Sequence, residues 1–84
     1  MLRTSFVVRD PAGLHAQSAA RLCSVASEYA CEVALAWKGM SCDAKSVFEV
    51  LAMGVPAGET VTVACTGDDE RACLEALTPL LDTL

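Results

Sequence analysis

The chain has 84 residues, 54% of them hydrophobic, and a formal net charge of −5 at pH 7. That length holds one domain around one core, and the apolar share frees the core from dependence on disulfides or a metal. Net acidity argues against nucleic-acid binding, which needs clustered Lys and Arg. No apolar run is long enough for a membrane span or a cleaved signal, so we expect a cytoplasmic protein without membrane insertion.

Residues Leu2 to Val8 alternate, with Leu2, Thr4, Phe6 and Val8 on one face, which predicts a half-buried strand. Asp10-Pro11-Ala12-Gly13 ends it with turn chemistry. A helix follows from about Ala16 to Ser27 or Glu28. Its apolar face is Ala19, Leu22, Cys23 and Ala26, and its polar stripe is Gln17, Arg21, Ser24 and Glu28. Tyr29 is expected to plug the end of the core.

Glu32 to Trp37 alternates again, with Val33, Leu35 and Trp37 pointing one way. Lys38-Gly39 reads as a tight turn into a short strand from Met40 to Asp43. Ser46-Val47-Phe48-Glu49 fits a capping box, in which Ser46 accepts from the Glu49 amide and the Glu49 carboxylate reaches back to the Ser46 amide. The short helix it opens should end at Gly54 in a left-handed cap. Thr60 to Cys65 is the fourth strand. The Thr66-Gly67-Asp68-Asp69-Glu70 segment supplies a turn, an acidic N-cap and early acidic charge for a last helix carrying Leu74, Leu77, Leu81 and Leu84. Pro79 interrupts that pattern. A kink near Ala76 and a fresh final turn capped by Thr78 are the alternatives, and the second is preferred.

The order is βαββαβα, which points to an antiparallel or mixed sheet with its helices on a single face. Pattern alone does not separate this from a ferredoxin-like fold. The five cysteines, Cys23, Cys31, Cys42, Cys65 and Cys73, are odd in number and form no C-x-x-C pair. Several lie at apolar positions, where a thiol behaves as a small hydrophobe. We expect them buried and reduced, with no metal site and no cofactor.

The stretch with most chemistry is Gly13-Leu14-His15-Ala16-Gln17-Ser18-Ala19-Ala20, which sets the only histidine at the mouth of a helix. First-turn amides have no partner inside a helix, and with the helix dipole they favour an anion. An imidazole there can act as nucleophile, since its ordinary pKa of about 6.5 leaves it largely neutral near pH 7. The expected phosphate-binding groups are the backbone amides of Ala16 and Gln17.

Gly13-Leu14-His15-Ala16 with Ala19-Ala20 resembles the active-site motif of the HPr family, the histidine-containing phosphocarriers of the bacterial sugar phosphotransferase system. Ala44-Lys45-Ser46-Val47-Phe48 resembles that family's second signature, and Gly67-Asp68-Asp69-Glu70 the start of its last helix. The resemblance spans nearly the whole chain. It implies an α+β open-faced sandwich, a four-stranded antiparallel sheet with three helices on one face. It also implies that His15 is phosphorylated on Nδ1 by a phosphoenolpyruvate-dependent general kinase and passes the group to a sugar-transporter subunit. In regulated members the serine matching Ser46 is phosphorylated by a separate kinase, though Glu49 stands where many of them have glycine. A partner surface would comprise Ala20, Val47, Phe48 and Leu51, on a monomer.

Beside the histidine the chain departs from the family, with Gln17-Ser18 where Arg-Pro is usual. Gln17 keeps an N–H donor without charge, and a charge-assisted bond is roughly twice as strong as a neutral one. Arg21 lies one turn on along the same stripe, and helical side chains lean toward the N-terminus, so it is the candidate replacement. Two functions follow. One is a phosphocarrier; the alternative is an HPr-like regulatory adaptor with weak or lost carrier activity, acting through docking and Ser46.

Overall fold

A computed structural model describes residues Met1–Leu84. The elements are β1 (Leu2–Val7), α1 (Ala16–Ala26), β2 (Glu32–Trp37), β3 (Met40–Asp43), α2 (Val47–Met53), β4 (Thr60–Thr66) and α3 (Glu70–Leu81). The strands form one antiparallel sheet in the order β1-β4-β2-β3. This is the expected α+β open-faced sandwich. β4 lies centrally because both faces of its backbone ladder are used: Phe6 pairs with Val61 on one side and Leu35 with Val63 on the other.

Alternation in the sequence becomes alternation in burial. Phe6 and Val8, Val33 and Leu35, and Val61, Val63 and Cys65 all turn into the core, where they meet Leu22, Val50, Leu77 and Leu81 from the helices. Tyr29 and Trp37 pack against that core while half-buried. The opposite sheet face carries small polar groups, among them the Ser5 and Thr62 hydroxyls 3.3 Å apart.

Four local expectations are corrected. Ser18, one turn before Leu22, occupies a buried position on α1, and Cys23 is only half-buried, with its Sγ 2.8 Å from the Lys45 carbonyl. The capping box at α2 is half formed. Ser46 Oγ accepts from the Glu49 amide at 3.3 Å, but the Glu49 carboxylate accepts from the Asp43 amide, because the Ser46 amide already donates to the Asp43 carbonyl. Asp69 sits at the N-cap of α3 without capping it. Its two oxygens instead accept from the Ala30 and Cys31 amides at 2.8 and 2.9 Å, joining the turn before β2 to the start of α3. Finally, α3 runs through Pro79 to Leu81, with no fresh turn capped by Thr78. The Thr78 hydroxyl donates to the Leu74 carbonyl at 2.7 Å, and the Asp82 amide resumes the helical pattern to Thr78. Proline removes one amide there, near a helix end, and burial of Leu77 and Leu81 outweighs that loss. Gly54 closes α2 in the left-handed conformation, as expected.

The loop that leads into α1 is clamped by backbone. The Gly13 amide donates to Asp10, the Leu14 amide to Val55, and the Arg9 and Asp10 amides both to the Leu84 carbonyl. Gly13 has φ +75°, and a Cβ there would lie 2.5 Å from the Val55 oxygen. Gly39 has the same φ with nothing nearby. Gly13→Ala should therefore destabilise by about 1–3 kcal/mol or more from strain and clash together, and Gly39→Ala by clearly less. Chemical denaturation of the two variants measures the difference.

Candidate phosphohistidine site

His15 is the N-cap of α1, in extended conformation with φ −110° and ψ −176°. Its carbonyl accepts the first helical bond, from the Ala19 amide at 2.9 Å. The amides of Ala16, Gln17 and Ser18 therefore have no carbonyl partner, as a helix start dictates. Extended φ and ψ at the cap turn the imidazole back over those amides, and the Gln17 N–H donates to Nδ1 at 3.2 Å.

The other ring nitrogen is also engaged. Nε2 lies 2.9 Å from Asp10 Oδ2. Because Nδ1 accepts a bond, the ring proton belongs on Nε2, which donates to the carboxylate. Asp10 Oδ1 meanwhile accepts from the Ala12 amide at 2.9 Å. One carboxylate thus closes the loop with one oxygen and fixes the imidazole tautomer with the other. The Ala12 amide first, and His15 second, hold the Asp10 carboxyl below its ordinary value.

The ring is partly open, with 31% of its side chain exposed. It borders a shallow polar cleft with Asp10, Gln17, Ser18, Ala20, Arg21 and Thr83. Arg21 reaches this cleft, as its place on the polar stripe suggested. Its guanidinium donates to Thr83 Oγ1 at 3.0 Å, and that hydroxyl donates on to the Leu80 carbonyl. No acidic residue occupies the first turn of α1, so nothing on the helix competes for its positive end.

The remaining expected residues lie on neighbouring surfaces. Ala20 is exposed on α1, and α2, which packs against α1, presents Phe48 at 88% exposure and Leu51 at 37%. Val47 is half-buried against the core. Ser46 is half-buried, with its hydroxyl engaged as the α2 cap. Two site residues were not read from the sequence. Asp10 could have been, since an Asp two residues before a turn amide commonly accepts from it and leaves one oxygen over. Thr83 could not, because only the packing of α3 against α1 brings it near. Away from this cleft, Cys31, Cys65 and Cys73 are the one cluster of metal-ligating side chains, despite their separation in sequence.

An open-faced sandwich presenting a tautomer-fixed imidazole at a free helix N-terminus defines a class: a small domain that sets a partly exposed histidine beside an anion-favouring helix start. Comparison with known proteins is specific. The family model for the PTS HPr component phosphorylation site matches residues 2–83. The phosphocarrier protein HPr of Cupriavidus necator is 32% identical over 81 residues, covering 96% of this chain and 91% of its own. That of Buchnera aphidicola is 29% identical over 84 residues, covering 100% and 99%. A crystal structure of HPr-C-His from Thermoanaerobacter tengcongensis superposes with a TM-score of 0.89 at 28% identity, covering 96% of this chain and 91% of that one. The chain belongs to the HPr family and is an HPr-type phosphocarrier, whose partners are other proteins of the phosphotransferase system.

The lowered pKa of Asp10 has a pH consequence. Its bonds stabilise the fold fully above the ordinary carboxylate pKa, near 3.9, and are lost as pH falls through the lower folded value. Asp10→Asn should shrink the acid-side fall in stability below about pH 4 and leave the shape of the curve above pH 5 unchanged. Thermal denaturation across pH 2–7 checks this.

Proposed function

We propose that His15 is the phosphoryl acceptor and donor, and that Nδ1 is the reacting atom. The observation that carries this is the pairing of the two ring nitrogens, Nε2–H to Asp10 and the Nδ1 lone pair toward the Gln17 amide. In the forward step the Nδ1 lone pair attacks the donor's phosphorus, the bond from phosphorus to the donor breaks, and a nitrogen–phosphorus bond forms. The ring keeps its Nε2 proton and gains positive charge, which the Asp10 carboxylate offsets. The Gln17 amide, no longer facing a lone pair, turns to a phosphoryl oxygen, with the Ala16 amide beside it. Transfer onward reverses these movements. Such chemistry is mostly positioning and charge stabilisation.

Arg21 supplies the cation that Gln17 lacks. The guanidinium is exposed and tethered only through the Thr83 hydroxyl, so a small swing of a flexible side chain brings it to a phosphoryl group in the shared cleft. Phosphoryl donation comes from a phosphoenolpyruvate-dependent kinase, and onward transfer goes to a sugar-specific transporter subunit, in the cytoplasm. No helix here is long and apolar enough to cross a membrane. Ala20, Phe48 and Leu51, with the half-buried Val47, form the docking face for these partners, since an 88%-exposed phenylalanine leaves most of its apolar surface uncovered. A phosphoryl group on Ser46 would put charge in this face, as the regulated relatives suggest, at the expense of the α2 cap.

Incubation with phosphoenolpyruvate and the general kinase should give an acid-labile, base-stable phosphate that His15→Ala abolishes. Acid-stable phosphate on Ser46 alone would instead support the adaptor reading. Arg21→Ala should slow phosphoryl acceptance and donation about three- to tenfold, a loss of roughly 1 kcal/mol in transition-state stabilisation. Stopped-time labelling measures it, and an unchanged rate removes Arg21 from the site.

A further inference from the structure

The Cys31, Cys65 and Cys73 thiols come from the residue just before β2, the end of β4 and the first turn of α3, and all three are buried. Their sulfur atoms lie within 4.8 Å of one another, with Cys65 and Cys73 at 3.8 Å. The cluster sits at the far end of the sheet from His15. Cys65 pairs with Leu2 at the beginning of β1, whereas the loop carrying His15 leaves the other end of that strand. The proposed phosphocarrier chemistry uses none of these residues.

A single centre bonded to three sulfurs at about 2.3 Å, the length of a metal–thiolate bond, needs them roughly 3.5–4 Å apart. The existing triangle meets this with sub-ångström closure. Three sulfurs with no fourth ligand among them suit a three-coordinate, thiophilic acceptor. Charge then chooses among such acceptors. Burial pushes the Cys31 thiol up to about 12 and Cys73 to about 11, and raises Cys65, so all three carry protons. Of the ionised groups beside the cluster, Asp69 and Glu70 are acidic, and the Met1 ammonium, 3.0 Å from Glu70, offsets only the latter. A zinc or copper(I) ion would leave a net negative tris-thiolate in an apolar core beside two carboxylates. That is costly without a paired cation.

We propose that Cys31, Cys65 and Cys73 form a binding site for trivalent arsenic. Arsenous acid, As(OH)3, reacts with three thiols to give As(SR)3 and three waters. Three As–O and three S–H bonds break, and three As–S and three O–H bonds form. Arsenic stays trivalent, no oxidant is consumed, and the product is neutral, which suits the core. The Gly67–Glu70 turn covers Cys31: a Cβ on Gly67 would lie only 2.7 Å from the Cys31 Cβ. Binding would tie β2, β4 and α3 together from inside.

The test is titration of the reduced full-length chain with sodium arsenite. The expected adduct is one arsenic per chain with three protons lost in the intact mass. Three of the five thiols should then react more slowly with a thiol reagent than in the arsenite-free protein, and X-ray absorption should place three sulfurs around arsenic. Because the site exists only in the folded chain, the melting temperature should rise with arsenite. Cys23→Ser/Cys42→Ser should bind as wild type, and Cys31→Ala, Cys65→Ala or Cys73→Ala should weaken binding at least about tenfold. A fallen melting temperature, a two-sulfur adduct, absence of an adduct, or loss of binding in the Cys23/Cys42 variant would overturn the proposal. The absorption, thiol-count and melting results on wild type decide it even if the core variants fail to fold.

Discussion

Everything at the site depends on how Asp10 divides its carboxylate. One oxygen takes the Ala12 amide and shapes the loop, and the other takes the Nε2 proton of His15. The loop geometry and the imidazole tautomer are therefore a single constraint. It holds only because backbone elsewhere fixes where Asp10 stands. The Leu84 carbonyl receives the Arg9 and Asp10 amides, and Val55 receives Leu14 while leaving no room for a side chain at Gly13. The last residue of the chain and the loop after α2 thus hold the ring in place, though neither touches it.

The electrostatic setting is economical. The chain is acidic overall, yet the first turn of α1 carries no carboxylate, so its amides stay available to an anion. The one nearby acid, Asp10, lies on the opposite edge of the ring from those amides. It meets the Nε2 proton without opposing an anion at Nδ1. What the site lacks is a fixed cation. Gln17 contributes a backbone donor, and Arg21 stands at the rim with its guanidinium tethered to Thr83. On the proposed reading, the family's usual arginine is replaced by a more distant and more mobile one.

Most of the fold was legible in the sequence, because it rests on local patterns. Period-two alternation placed β1, β2 and β4, the Lys38-Gly39 turn placed β3, helical spacing placed α1 and α3, and Ser46 and Gly54 bounded α2. His15 at a helix mouth followed from Gly13 and the small residues after it. What the sequence did not disclose depends on partners far along the chain. Asp69 looked like an N-cap, but two amides at the α1–β2 turn needed an acceptor and a carboxylate could satisfy both. Pro79 looked like the first position of a fresh final turn, yet the buried leucines on either side carry α3 through it. The cysteines showed no ligand spacing because their proximity comes from sheet register and helix packing, not from a loop. Thr83 beside Arg21 is the same kind of contact.

The ring should offer Nδ1, not Nε2, to the phosphoryl group. Heteronuclear NMR of the phosphorylated, nitrogen-15-labelled protein reads this directly through phosphorus–nitrogen coupling and the position of the remaining ring proton. Phosphorus on Nδ1 with the proton retained on Nε2 is the expected result. Phosphorus on Nε2, which would require breaking the bond to Asp10, would contradict it.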